Sequence, residues 1–305
     1  MTLPADVVVF ERGWLSSNNV LLRGSAGEPA VLVDSGYATH ASLTLALVEQ
    51  SLGGQRLGRV FNSHLHSDHC GGNAALQQRY GCEVLVPVAE RNAAEAWDDD
   101  QLSFKATGQQ CPRFSVQGVL VPGSEYQIGT RTWQVLAAAG HDPHAVILYA
   151  PEDQLLISAD ALWENGFGVV FPELDGEDAL QEVRATLDVI AGLDVRLVIP
   201  GHGQLVFDVD AALERAYRRL AQFQSDPIRH GWYAAKALAK FHLIEVQTIG
   251  RDQMMEWLRA TPLFGRIHAR YFAREHPFSA WCDQLLQALE NTGVLKRSRG
   301  VLVDI

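Results

Sequence analysis

Ser63-His64-Leu65-His66-Ser67-Asp68-His69 gathers three histidines and one aspartate into six residues, in a chain of 305 that has 11 histidines in all. Imidazole and carboxylate are the usual protein ligands of zinc, iron and manganese. In an extended segment, alternate side chains share a side, so His64 and His66 point together. A sharp turn at Asp68-His69, before Gly71-Gly72, can swing the second pair toward a neighbouring position. One short segment can then serve two metals. The bland alternative is four polar residues in a loop, and the density of histidine weighs against it. Cys70 follows directly and reads either as a further ligand or as a small packed residue beside the site.

The cluster follows the short strand Arg59-Val60-Phe61-Asn62, and other polar residues end apolar runs in the same way. His141 comes after Trp133–Ala139 and Gly140. Asp160 follows Leu155-Leu156-Ile157-Ser158-Ala159, and His202 lies between Gly201 and Gly203 after Val198-Ile199. Singly, each could be a capping aspartate or a turn histidine. Together with residues 63–69 they read as the remaining ligands of a two-metal site.

Upstream, Asp6–Phe10, Asn19–Leu22 and Ala30–Asp34 read as strands, and residues 38–52 show helical spacing. Helices are expected at 70–80 and 88–97 around the strand Glu83–Val86. A second strand cluster covers 117–121, 131–138, 145–150 and 154–158. Helix 176–191, strand 195–199 and a helix near 208–223 follow. Two strand clusters interleaved with helices suit two packed sheets with helices outside. The expected fold is α+β, a four-layer αββα sandwich. Beyond a break near 216–228, residues 229–241, 251–259 and 278–291 read as helices. A hairpin then runs through Val294-Leu295-Lys296, Ser298-Arg299-Gly300 and Val301-Leu302-Val303. That is a small, helical, winged-helix-like pattern, and it divides the chain into 1–220 and 221–305.

These residues resemble the metallo-β-lactamase superfamily. The motif His-x-His-x-Asp-His stands as His64-Leu65-His66-Ser67-Asp68-His69, with Gly71-Gly72 after it. Val33-Asp34-Ser35-Gly36, Gly140-His141, Ser158-Ala159-Asp160 and Pro200-Gly201-His202-Gly203 complete the pattern in family order across roughly residues 5–205. The resemblance implies that His64, His66 and His141 bind one metal, that Asp68, His69 and His202 bind a second, and that Asp160 bridges them. It implies two divalent ions, zinc with iron or manganese as alternatives, and a bridging hydroxide that attacks a carbonyl or phosphorus. Two cations ~3.5–4 Å apart lower the pKa of water toward ~7. Asp68 would also orient the nucleophile. His144, in His141-Asp142-Pro143-His144, matches a position often histidine in the thioester-hydrolase branch; it reads as a substrate contact or as an exposed turn residue. Tyr149, Trp163 and Phe167 are either pocket walls or core.

The implied activity is hydrolysis of a small thioester, ester or lactone, similar to the glyoxalase II branch. The tail departs from that branch and lacks the basic and aromatic pattern that holds glutathione there. It resembles instead the C-terminal domain of the β-lactamase-like protein 2 branch, through Asp226–Gly231 and Ala237–Phe241, and some members with that domain cleave RNA. A mononuclear iron enzyme resembling the persulfide dioxygenases would need the first ligand set alone, and a binding module would need a damaged ligand set. Residues 216–305 carry 13 Lys/Arg against 8 Asp/Glu, while the rest carries 12 against 28, within a net charge of −11. An acidic body repels nucleic acid at long range, so a small-molecule substrate is expected in preference to RNA. No apolar run approaches the ~18 residues that span a bilayer. The opening Met1–Asp6 shows no secretory pattern, and the four cysteines form no C-x-x-C pair. A cytoplasmic protein with free thiols and no membrane partner is expected.

Overall fold

The structure, a computed structural model, describes residues 3–298 and 300–305. Arg299, in the expected hairpin turn, lies outside the described residues, as do Met1 and Thr2. Two sheets form the body. The first runs β1 (Val7–Phe10), β2 (Asn19–Leu22), β3 (Ala30–Val33), β4 (Leu57–Phe61), β5 (Glu83–Pro87) and β6 (Gly118–Leu120), paired in sequence order. The second comprises β7 (Glu125–Ile128), β8 (Arg131–Ala137), β9 (Val146–Ala150), β10 (Leu155–Ala159) and β11 (Leu197–Pro200), paired in the order β11-β10-β9-β8-β7.

Side-chain alternation explains the layering. In β2 and β3, Val20, Leu22, Val31 and Val33 face the second sheet, where they meet Val135, Leu148, Ile157 and Ile199. Leu21 and Leu32 point the other way, toward Val48 of the helix Ala41–Ser51 and Leu76 of the helix Asn73–Tyr80. In the second sheet, Ile147, Leu156 and Val198 face outward onto the helices Ala179–Ala191 and Val209–Ser225, through Val183, Leu187, Ala216 and Leu220. Strands covered on both faces are continuous apolar runs, which is how β3, β9 and β11 read. This is the expected four-layer αββα sandwich.

Parallel strands need long crossovers, and these lie between β3 and β4, β4 and β5, β5 and β6, and β10 and β11. The chain therefore leaves β3, β4, β10 and β11 at one edge of the sandwich, and the polar residues that end those strands are delivered together. The β7 strand is an addition to the sequence reading. Its Glu-Tyr-Gln-Ile run buries Ile128, half-buries Tyr126 and pairs with β8 across Gly129-Thr130.

The helix Val209–Ser225 runs past residue 220 and ends at Asp226. There the Asp226 carboxylate accepts from the Arg229 N–H (3.0 Å), and Pro227 occupies the first turn of the next helix, Pro227–Val246. That helix is longer than the 229–241 expected. The tail continues with β12 (Thr248–Gly250), helix Arg251–Ala260, helix Pro262–Ile267, helix Phe278–Asn291 and the hairpin β13 (Leu295–Ser298) and β14 (Val301–Asp304). β12 pairs with β14 and makes the hairpin a three-stranded sheet, so the order is winged-helix-like, with helix Pro262–Ile267 and the π-helical turn His268–Phe272 after it added to the three helices the sequence suggested. A separate core forms around Trp281, Leu238, Phe264, Met254 and Leu285.

Candidate metal centre

The seven residues picked out by the sequence converge at the C-terminal edge of the two sheets. His64, His66 and His141 bring one nitrogen each within 4.8 Å of one another; so do His64, His69 and Asp160, and Asp68, His69 and His202, through their ligand atoms. The turn expected at Asp68-His69 is a single helical turn, Ser67–Cys70, with His66 extended just before it. His144 is not brought in: it is exposed, and its backbone N–H donates to Asp142 Oδ1 (2.7 Å). Cys70 is buried facing Leu65 O (3.5 Å) and Cys111 Sγ (3.6 Å), in keeping with a packed residue. Trp163 lines the cavity, whereas Tyr149 and Phe167 belong to the outer core.

The histidines are oriented from behind. His141 Nδ1 donates to Val169 O (2.7 Å), which leaves a lone pair on Nε2. Ser63 Oγ donates to Asp34 Oδ2 (2.8 Å) and so accepts from His64 Nδ1 (3.0 Å), which again leaves Nε2 as a lone pair. His66 Nδ1 lies 3.1 Å from His64 Nε2 and 2.9 Å from His141 Nε2. A neutral His66 has at most one proton to offer there, so at least one of these close approaches sets lone pair against lone pair. A cation between the three nitrogens resolves that conflict. Likewise His69 Nδ1 donates to Asp34 Oδ2 (2.8 Å), while its buried Nε2 has no hydrogen-bond partner and faces Asp160 Oδ1 at 3.4 Å and Asp68 Oδ2 at 3.9 Å. His202 Nε2 meets Asp68 Oδ2 at 3.0 Å and Asp160 Oδ1 at 3.9 Å. Both clusters therefore fit divalent metal ions, with the Asp160 carboxylate reaching His141 through Oδ2 (3.2 Å) and the other cluster through Oδ1.

Electrostatics follow from this crowding. Burial, and then the imidazoles of His69, His66 and His141, hold His64 well below the ordinary imidazole range. Burial and His66 push His141 down to about 4. Both rings are thus neutral at pH 7, ready to ligate without first losing a proton. Burial would lower His69, yet the carboxylates of Asp160, Asp34 and Asp68 hold it well above that range. Burial would raise Asp160, and His69, His202 and His141 keep it well below the usual carboxylate range.

The backbone makes room for this cluster. Ala159 at φ 45 and Asp34 at φ 57 occupy left-handed conformations, uncommon for residues with a Cβ and a form of strain concentrated at functional sites. Ala159 sits at an irregularity in the β10–β11 pairing, which turns Asp160 into the cleft. At Gly201 a Cβ would collide with Asp160 Oδ1, so the loop can approach that carboxylate only without a side chain.

Several supporting residues escaped the sequence reading. Asn18 donates from its backbone N–H to Gly201 O (2.6 Å) and from Nδ2 to Pro200 O (2.9 Å) and Gly203 O (2.8 Å), stapling the His202 loop to the first sheet. Trp14 stacks on His202 with ring centroids 5.4 Å apart and planes at 10°. Trp163, which the sequence did single out as pocket wall or core, also donates from Nε1 to Asp160 Oδ1 (3.2 Å). Asp34 was legible only as part of a motif; here its carboxylate accepts from Ser63 N, Ser63 Oγ and His69 Nδ1. An Asp34→Ala change should weaken metal affinity about 10–100-fold and cost about 3 kcal/mol of stability, since it strands buried donors. Calorimetric metal titration and denaturant unfolding check this, and wild-type affinity would count against an orienting role for Asp34.

Comparison with known proteins agrees with this geometry. A family profile described as the metallo-beta-lactamase superfamily matches residues 12–202, well over half of the chain, and the protein belongs to that superfamily. Among curated relatives, a protein named hydroxyacylglutathione hydrolase from Rhizobium etli is 25% identical over 174 residues, 56% of this chain and 60% of that protein. The match thus spans less than two thirds of that relative's length. Among solved structures, a metallo-beta-lactamase family protein from Thermus thermophilus superposes over 100% of both chains with a TM-score of 0.59 at 20% identity, a likeness of fold that includes the tail. The protein TTHA1623, solved in a di-iron-bound form, is 28% identical, with a TM-score of 0.54 over 70% of this chain and 98% of its own. Among the described residues, no helix is long and apolar enough to cross a membrane.

Proposed function

We propose that the protein is a dinuclear metal-dependent hydrolase that cleaves a thioester, ester or lactone of a small molecule. The observation that carries this reading is the pair of ligand clusters whose lone pairs face one another across the Asp160 carboxylate. His64, His66 and His141 would hold the first metal, Asp68, His69 and His202 the second, with Asp160 shared. Zinc suits this donor set, and iron or manganese are the alternatives. Two bound divalent cations would supply Lewis acidity and a water of lowered pKa. The chain's own residues do the rest. Val169 O and Ser63 fix the ring orientations of His141 and His64. The Trp163 indole holds Asp160, and Asp68 offers a carboxylate oxygen that can accept the proton of an attacking water.

The named hydrolase relative supports thioester chemistry, and TTHA1623 in its di-iron-bound form supports two metals. The RNA-cleaving reading has less support. Lys240, Arg251, Arg266 and Arg297 of the tail pair with Asp304, Asp283, Asp175 and Glu290, so part of its positive charge is already engaged. The division into a catalytic part, 1–220, and a tail, 221–305, belongs to the same proposal, with the physical break at Asp226. So does a cytoplasmic location, which the four free cysteines support.

A panel of thioesters, esters and lactones tests the reading. Metal-loaded protein should turn over at least one of them, and chelator treatment should abolish that turnover until zinc or iron is restored. Turnover that survives complete metal removal would sink it.

A further inference from the structure

The cavity above the ligand cluster holds about 440 Å³, and its floor and walls differ in chemistry. The floor is His66, Asp68, His141, Asp160 and His202. On the tail side the wall is apolar: Val169 and Phe171 follow Asp160, and Val294 precedes the β13 strand. Ala237, Phe241 and Ile244 stand at i, i+4 and i+7 of the helix Pro227–Val246, one face of that helix turned into the cavity. The face is held in place, because the Tyr37 hydroxyl donates to Glu245 Oε1 (2.7 Å) and the Phe241 ring packs edge-on against Tyr37 at 5.4 Å.

One lysine lies among these walls, Lys240, and its charge is spent. Its ammonium donates to Asp304 Oδ1, to Val294 O (2.8 Å) and to Ile305 O (3.1 Å), which uses all three of its N–H groups. Among the described residues lining the cavity, no other Lys or Arg is present. A buried carboxylate or phosphate without a cationic partner is strongly disfavoured. A thiol carrier such as glutathione brings two carboxylates and would find no cation on these walls to pair with them.

Resting on the hydrolase reading, we propose that the tail-side wall forms a specificity chamber for a neutral, apolar substituent of the substrate, aliphatic or aromatic. A group of about six to eight carbons fits within a cavity of this size. The favoured substrate class is then a neutral medium-chain thioester or ester, and carriers that would bury a carboxylate against these walls are disfavoured. Phe241 and Ala237 are specificity residues, since their side chains line the wall and neither belongs to the ligand cluster.

Binding separates this inference from catalysis. Neutral N-acetyl-S-alkylcysteamine thioethers, which cannot be hydrolysed, and S-hexylglutathione are titrated into the metal-loaded protein by calorimetry. The S-hexyl neutral compound should bind at least tenfold tighter than S-hexylglutathione. From ethyl to hexyl the affinity should rise by up to about fourfold per methylene. Phe241→Asp should flatten that dependence, and Ala237→Leu, which keeps the wall apolar, should shorten the longest chain accommodated. Equal or tighter binding of S-hexylglutathione, or affinity independent of chain length, overturns the chamber. The matching hexanoyl thioesters are assayed in parallel. Chain-length-dependent binding without any hydrolysis would support the chamber and count against the hydrolase reading. Preferred hydrolysis of the glutathione thioester would do the reverse.

Discussion

On the proposed mechanism, a His66→Ala protein should retain its fold, lose at least one equivalent of metal and fall at least about a thousandfold in kcat/KM, since the bound metals would supply both the nucleophile and the charge stabilisation. The geometry separates these effects. His66 Nδ1 faces only His64 and His141, and its Nε2 lies 3.9 Å from Asp142 Oδ2. The ring borders the cavity, so removing it opens no closed void in the core. In metal-free protein the substitution also relieves the crowding of lone pairs, so metal-free stability should change by no more than about 1 kcal/mol. Metal content by elemental analysis and unfolding of the chelated protein in denaturant read the two effects independently. Wild-type metal content in His66→Ala would contradict the ligand assignment.

The second large effect is expected at a residue with no functional group. A Cβ on Gly168 would lie 2.7 Å from His141 Cε1 and closer still to Nδ1, inside any real contact distance. An alanine there must displace the His141 ring and break its bond to Val169 O. The Gly168 N–H also donates to Asp160 O (2.9 Å), so a backbone shift would carry the Asp160 carboxylate with it. Gly168→Ala should lower kcat/KM about 100-fold or more, as displacements near 1 Å do at preorganised sites. Gly265→Ala is the control: nothing lies within 4 Å of its Cβ, and it sits in the helix Pro262–Ile267. Activity should be unchanged there and stability should rise by up to about 1 kcal/mol. Matching losses in both variants would point to a general sensitivity to glycine replacement.

The candidate ligands were legible because each ends an apolar run, and four of them are nearly contiguous. The sandwich was legible because two strand clusters with helices between them admit few packings. What sequence could not reveal depends on partners far along the chain. Asn18 stands in the run Ser16-Ser17-Asn18-Asn19, which reads as a polar turn. Those four residues are buried, because Asn18 meets the carbonyls of Pro200, Gly201 and Gly203, more than 180 positions away. Trp14 carries no signal of its role on His202 for the same reason. The three residues of β12 form a strand only because β14 is there to pair with them. For His144 a local motif left two readings open, and the turn after Asp142 places the side chain in solvent, as in the second of them. The proposed chamber wall was not legible either, because Ala237 and Phe241 read only as part of a helix and of the tail's resemblance, with no sign of what they would face.

Metal quantification on the purified chain, paired with its activity on thioesters, tests the dinuclear centre most directly. Two equivalents of zinc or iron per chain, both lost with activity on chelation and both restored with it, are the expected result. A fully active chain carrying one equivalent or none would contradict it.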